Sequence, residues 1–178
     1  MIQERLQERF RWLGDRTDPD FRADLTGWWR DAELLVQLGP ALAGLFSDVS
    51  PTVIVGPQSR GSLLGPLVAV HLGVGFVELL KNHASAADSD AWLQVTTPPD
   101  YRDRHLRLGA RRALLTSGDR VLFVDDWVAT GAQVEAAHAL VELSGATWLG
   151  AAVLVDGAER AHVRRKVNLR SLLHIRDL

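Results

Sequence analysis

The chain has 178 residues, of which 47% are hydrophobic and 24% charged, with a formal net charge of −2 at pH 7. That length and composition fit one globular domain, and the near-neutral balance offers no basic footprint for a nucleic acid. The chain has no cysteine, which excludes disulfides and thiolate metal sites and agrees with a cytoplasmic location.

The first residues, MIQERLQERFRWLG, are charged and lack the apolar core of a secretion signal. A helical pattern covers DAELLVQLGPALAGLF, Asp31 to Phe46. The run TVIVG, Thr52 to Gly56, reads as a buried strand. It enters the turn PQSRGS, then an apolar helix from about Leu63 to Leu72, then a strand in GVGFVELL. The stretch from Leu63 to Leu80 approaches membrane-spanning length, but Pro66, His71, three glycines and Glu78 interrupt it. A buried helix, a turn and a core strand explain it better, so no membrane partner is expected.

From Asn82 to Gly118 periodicity is lost; the stretch is polar, carries proline and is rich in arginine. Such a segment inside a compact domain is usually a functional lid or disorder. A second strand, VLFVD from Val121 to Asp125, then leads through a loop into a helix over Gln133–Gly145. A third strand follows over Thr147–Asp156. Nearly continuous β-branched strands alternating with helices indicate a mainly parallel sheet covered on both faces.

The chemistry lies in the two strand-ending turns, where open α/β sheets bind their ligands. In VLFVDDWVATGAQ a hydrophobic strand runs into Asp125-Asp126. Ionised carboxylates need partners or water, so the pair is expected where the strand meets solvent. The small residues Ala129, Thr130, Gly131 and Ala132 let backbone N–H groups close on an anion at the start of the next helix. Phosphate donors beside acceptors for vicinal hydroxyls describe a ribose 5-phosphate pocket. The first turn offers Arg60, whose fork of donors suits phosphate oxygens, with Gly61 beside it.

VLFVDDWVATGAQ resembles the phosphoribosyl-diphosphate (PRPP) motif of the type I phosphoribosyltransferases. VGPQSRGSLLGPLVAVHLGVGFVELLK looks like the diphosphate-loop segment of the adenine phosphoribosyltransferases in that family. GDRVLFVDDWVATGAQVEAAHALVELSGATWLGAAVLVD matches them in register, SLLHI is similar to their last strand, and the likeness covers Thr52 to Asp156. The resemblance implies an α/β domain spanning 1–178, with a hood from about 1–30, to which the C-terminal segment is a second contributor. A flexible lid would cover about 82–112. It implies transfer of 5-phosphoribosyl from PRPP to a nucleobase, a purine such as adenine, by a cytoplasmic homodimer.

By the same resemblance, Asp125 and Asp126 would hold the ribose hydroxyls. Ala129, Thr130, Gly131, Ala132 and Gln133 would hold the 5-phosphate. Ser59, Arg60 and Gly61 would bind the diphosphate, assisted by Lys81, and Arg60 would act on the departing group. Mg²⁺ would be held mostly by diphosphate and ribose oxygens rather than by direct protein ligands.

The chain departs from the family at several points. In LRLG, Leu106 to Gly109, Arg107 stands where the family's lid has a glutamate, and Asp103 is the nearby substitute. Leu80-Lys81 replaces an Arg-Lys pair. The N-terminal region that packs on the purine is poorly matched, with Phe21, Arg22, Trp28 and Trp29 as replacements. Trp127 is bulkier than the usual aliphatic residue. Arg107 therefore keeps a second reading open: a non-catalytic regulator that binds PRPP or a nucleotide on the same fold.

Simpler roles stand beside these. Thr130 could merely cap the following helix, and Lys81 could be a solvated strand end. Trp28 and Trp29 suit a core or an interface. An acidic pair after a strand also occurs in receiver domains, but there it lies on the first strand and no Ala-Thr-Gly follows.

Overall fold

The computed structural model describes residues 1–82, 89–97 and 105–178. An N-terminal unit comprises helix α1 (Ile2–Arg9), strands β1 (Arg11–Leu13) and β2 (Arg22–Asp24), and helix α2 (Thr26–Arg30). Helix α3 (Ala32–Gly44) leads into strand β3 (Val53–Pro57), helix α4 (Gly61–Leu72) and strand β4 (Gly75–Lys81). Strands β5 (Trp92–Thr96) and β6 (Arg107–Arg111) follow, then β7 (Arg120–Val128), helix α5 (Ala132–Ser144), β8 (Thr147–Asp156), helix α6 (Ala161–Lys166) and β9 (Leu169–His174).

β1 and β2 form a two-stranded ribbon, and the other strands form a seven-stranded sheet in the order β5-β6-β4-β3-β7-β8-β9. From β4 to β9 neighbouring strands are parallel, while β6 runs antiparallel to both β4 and β5. The central strands are apolar at successive positions because each face packs on helices. Ile54, Leu122 and Val124 meet Leu34, Leu38 and Leu42 of α3 and Leu64 and Val68 of α4. The alternate residues Val53, Val55, Val121 and Phe123 face Val134, Ala137, Leu140 and Val141 of α5.

Asp31 caps α3, accepting from the Leu34 N–H at 3.1 Å, and also takes a fork from Arg5 at 2.8 Å on each oxygen. Arg9 adds a third guanidinium contact at 2.9 Å, so this buried carboxylate ties α1 to α3. Trp28 is fully buried beneath the N-terminal unit and donates its indole N–H to the Leu6 carbonyl at 2.8 Å. It is a core residue and cannot face a base. The C-terminal turn reaches the same unit: Gln7 donates to the Asp177 carbonyl at 2.8 Å.

Two sequence expectations need correction. The stretch after Asn82 that lacks periodicity contains β5 and β6, paired with Leu93 opposite Ala110 and Val95 opposite Leu108. Each strand is only five residues long, which leaves too short a pattern to read. Secondly, β7 continues to Val128, so Asp125 and Asp126 lie inside the strand and are only 3% and 6% exposed. Of the expected lid, residues 83–88 and 98–104, Asp103 among them, lie outside the described residues.

Candidate active site

The carboxyl ends of β3 and β7 place the two turns side by side. At the end of β3, Gln58 accepts the Lys81 N–H on its Oε1 at 2.9 Å, which ties the turn to the end of β4. Arg60 then caps α4 and extends its guanidinium to Asp126 at 2.9 Å. Gly61 lies so close to the strand that a Cβ would fall 2.4 Å from the Pro57 ring. At the end of β7, Asp125 accepts from Gln133 Nε2 at 2.7 Å and from the Asp126 N–H at 2.9 Å. These contacts satisfy carboxylates that burial would otherwise penalise. The loop then turns at Gly131, whose φ of 89° is left-handed backbone, and α5 starts at Ala132. The Ala132 N–H approaches Thr130 Oγ1 at 3.4 Å.

Two cavities meet there. A polar cleft of about 300 Å³ is lined by Gln58, Ser59, Arg60, Lys81, Asp125, Asp126, Trp127 and Gln133. A second, of about 190 Å³, is lined by the loop Trp127–Gly131 together with Phe123, Asp125, Gln133 and Val134. Asp125, Trp127 and Gln133 belong to both. Two cations therefore face two carboxylates across one cleft, with a small-residue loop opening on the far side. Burial, reinforced by the adjacent Asp126 carboxylate, pushes Asp125 well above the ordinary carboxylate range. Burial likewise pulls the Lys81 ammonium below its ordinary value, against the opposing pull of Asp125 and Asp126.

Most residues singled out in the two turns thus converge; Gly61 and Ala132 lie at the helix starts rather than on the cavity walls. Phe21 and Arg22 line neither cavity. Phe21 stacks on Trp12 with ring centroids 4.8 Å apart, and Trp12 meets the face of Trp127 edge-on at 6.3 Å. Phe10 is also within 6.4 Å of Trp127. The N-terminal unit therefore borders the cleft through an aromatic chain. Its charged end is close too, since the charges of Arg22 and Arg60 both help hold Asp24 below the usual range, after Thr26. Arg107 is exposed on β6, where its N–H donates to Asn82 Oδ1 at 3.1 Å.

The phosphoribosyl transferase domain model matches residues 36–176. The chain belongs to the phosphoribosyl transferase family. Among its relatives, the adenine phosphoribosyltransferase of Streptomyces coelicolor is 34% identical over 157 residues, covering 87% of this chain and 83% of the relative. The solved adenine phosphoribosyltransferase of Rhodothermus marinus aligns with a TM-score of 0.81 at 30% identity, covering 98% of each chain. That of Giardia lamblia, complexed with 9-deazaadenine, also gives 0.81, at 28% identity and 98% coverage of each. These relatives bear out the type I phosphoribosyltransferase fold and the enzyme class, and they do not favour the regulator. Sequence reading missed Gln58 and Trp12 in this phosphoribosyltransferase. Gln58 sits inside the quoted turn, but its side chain bonds a backbone group 23 positions away. Trp12 had only its size as a signal.

Proposed function

We propose that this phosphoribosyltransferase moves 5-phosphoribosyl from PRPP to adenine and releases diphosphate. The observation that carries this reading is the pair of joined cavities, one bounded by Arg60 and Lys81 and the other by the loop after Asp125-Asp126. A ribose between them would set its hydroxyls against the carboxylates. Its 5-phosphate would lie on the N–H groups of Ala129–Gln133, and its diphosphate against Ser59, Arg60, Gly61 and Lys81.

The base nitrogen forms a bond to the anomeric carbon as the bond to the diphosphate oxygen breaks. The electron pair leaves with diphosphate, which also takes up the proton that the base nitrogen loses. Positive charge develops on the ribose in the transition state, so the carboxyl oxygens of Asp125 and Asp126 beside it are stabilising. Arg60 and Lys81 meet the charge growing on the leaving group. Phe21 and Arg22 are offered as the base-side contacts, with Phe21 acting through Trp12 and Trp127. Closure of the 82–112 segment would exclude water, which competes for PRPP.

Among the described residues no group of three His, Cys, Asp or Glu side chains converges as a metal cage. Two carboxylates beside a phosphate site suit Mg²⁺, which prefers few protein ligands and substrate oxygens. Mg²⁺ would be held through the diphosphate and the ribose hydroxyls that Asp125 and Asp126 engage, and would neutralise diphosphate charge. A homodimer in the cytoplasm belongs to the same reading. Support for a dimer comes from α4, whose Leu63 and Val70 are 54% and 82% exposed on an otherwise apolar helix.

Changing Asp125→Asn and Asp126→Asn together is expected to abolish turnover while leaving the far-ultraviolet circular dichroism spectrum intact. Unchanged turnover in that folded double variant sinks the site assignment.

A further inference from the structure

Beyond the residues that line the cavities, the segment from Asp156 to Arg164 forms a bracket behind the loop Ala129–Gly131. Its ends are locked together. Arg164 donates to both oxygens of Asp156, at 2.6 and 3.0 Å, and to the Ala158 carbonyl at 2.6 Å. Asp156 also accepts the Ala158 N–H at 2.9 Å. A forked guanidinium on a buried carboxylate is among the stronger and more directional contacts available to a loop. Lys166 fastens the same helix, α6, to Glu135 of α5 at 3.0 Å.

The bracket grips the loop at three points. Gly157 N–H donates to the Val128 carbonyl at 2.9 Å, and Glu159 N–H donates to the Ala129 carbonyl at 3.1 Å. Buried Val163 packs on Gly131 so closely that a Cβ there would lie 2.8 Å from its methyl. A peptide unit is planar and trans, so a carbonyl held on one side aims the N–H of the same unit to the other. Holding the Val128 and Ala129 carbonyls against the bracket therefore turns the Ala129 and Thr130 N–H groups away from it. The cavity lined by Ala129 and Thr130 has no lining residue from Asp156 to Arg164.

We propose that Asp156 and Arg164 are positioning residues for this phosphoribosyltransferase: through the bracket they preorganise the loop N–H groups and set affinity for the 5-phosphate without touching it. The inference rests on the reading of Ala129–Gln133 as the 5-phosphate loop. Preorganised donors spare a ligand the ordering cost that a mobile loop imposes.

The test is calorimetric binding of ribose 5-phosphate and, separately, of inorganic diphosphate, to the parent, Arg164→Met, Arg164→Lys and Val163→Ala proteins. Arg164→Met is expected to weaken ribose 5-phosphate about tenfold and to raise KM for PRPP by a similar factor. Diphosphate affinity and KM for adenine should hold. Arg164→Lys, which keeps the charge but loses the fork, should fall between. Val163→Ala removes the contact on Gly131 without disturbing the ion pair, and should shift the same two quantities if Arg164→Met does not fold. Ribose 5-phosphate affinity unchanged in the folded variants overturns the inference. So does an equal loss for diphosphate, which means general damage. A parent protein that binds diphosphate but no ribose 5-phosphate overturns the loop reading, and the inference with it.

Discussion

Gly131→Ala is the most informative single change in the loop. The residue sits at φ 89°, where an L side chain is disfavoured by about 1–2 kcal/mol. The added Cβ would also lie 2.8 and 2.9 Å from the two Val163 methyls. Pushing a packed valine aside costs about 1–3 kcal/mol. The two effects together give roughly 2–5 kcal/mol, a large share of the 5–15 kcal/mol typical of a domain. Gly44→Ala is the control, since that glycine has helical surroundings and open space where its Cβ would go. It should cost nothing, or gain up to about 1 kcal/mol by restricting the unfolded chain. Val163→Ala in the Gly131→Ala background should relieve the steric part only, giving a favourable coupling of about 0.5–3 kcal/mol in a double-mutant cycle. Urea unfolding followed by tryptophan fluorescence reads the parent, the three single variants and the double variant. A Gly131→Ala protein no less stable than Gly44→Ala, or a strictly additive pair, refutes the geometry proposed for the loop.

Three further outcomes are expected. Asp125 keeps its proton in the folded state at pH values where the unfolded chain has lost it, because burial raises it above 3.8. Stability from this group therefore falls as pH rises through that window, and Asp125→Asn should unfold at a higher temperature than the parent near about pH 7, with the gap closing toward about pH 4; a constant gap in calorimetric scans contradicts this. Asp31 behaves oppositely, since the Arg5 guanidinium, the Leu34 N–H and Arg9 hold it far below the usual range. Its contribution is present above the ordinary value of 3.8 and is lost as pH falls below it, so Asp31→Ala should melt lower at neutral pH and converge with the parent in acid. Arg60→Lys keeps the charge but not the fork, so KM for PRPP should rise about tenfold while KM for adenine holds, as steady-state kinetics can check.

The site was legible where chemistry and pattern coincide in a short stretch. Asp125-Asp126 followed by Ala129-Thr130-Gly131 carries strand, carboxylates and turn within a few residues, and the fold keeps them together. Burial of both aspartates was not legible, because Arg60 and Gln133, which satisfy them, are supplied by other elements. β5 and β6 escaped notice because a five-residue strand has few positions to alternate, and its partner is chosen by the fold. The three-residue strands β1 and β2 are shorter still. Asp31 was readable as a helix start, but its pairing with Arg5 spans 26 positions. The Asp156–Arg164 fork looks in sequence like any acidic strand end followed by a basic helix; only the parallel pairing of Val128 with Asp156 brings it behind the loop.

The most direct measurement is diphosphate release from PRPP with Mg²⁺ and one base at a time, across purines and pyrimidines. Release with adenine, matched by an equal amount of the adenine nucleotide, is the expected result. Saturable PRPP binding with no release for any base would contradict transfer to a nucleobase as the activity of this site.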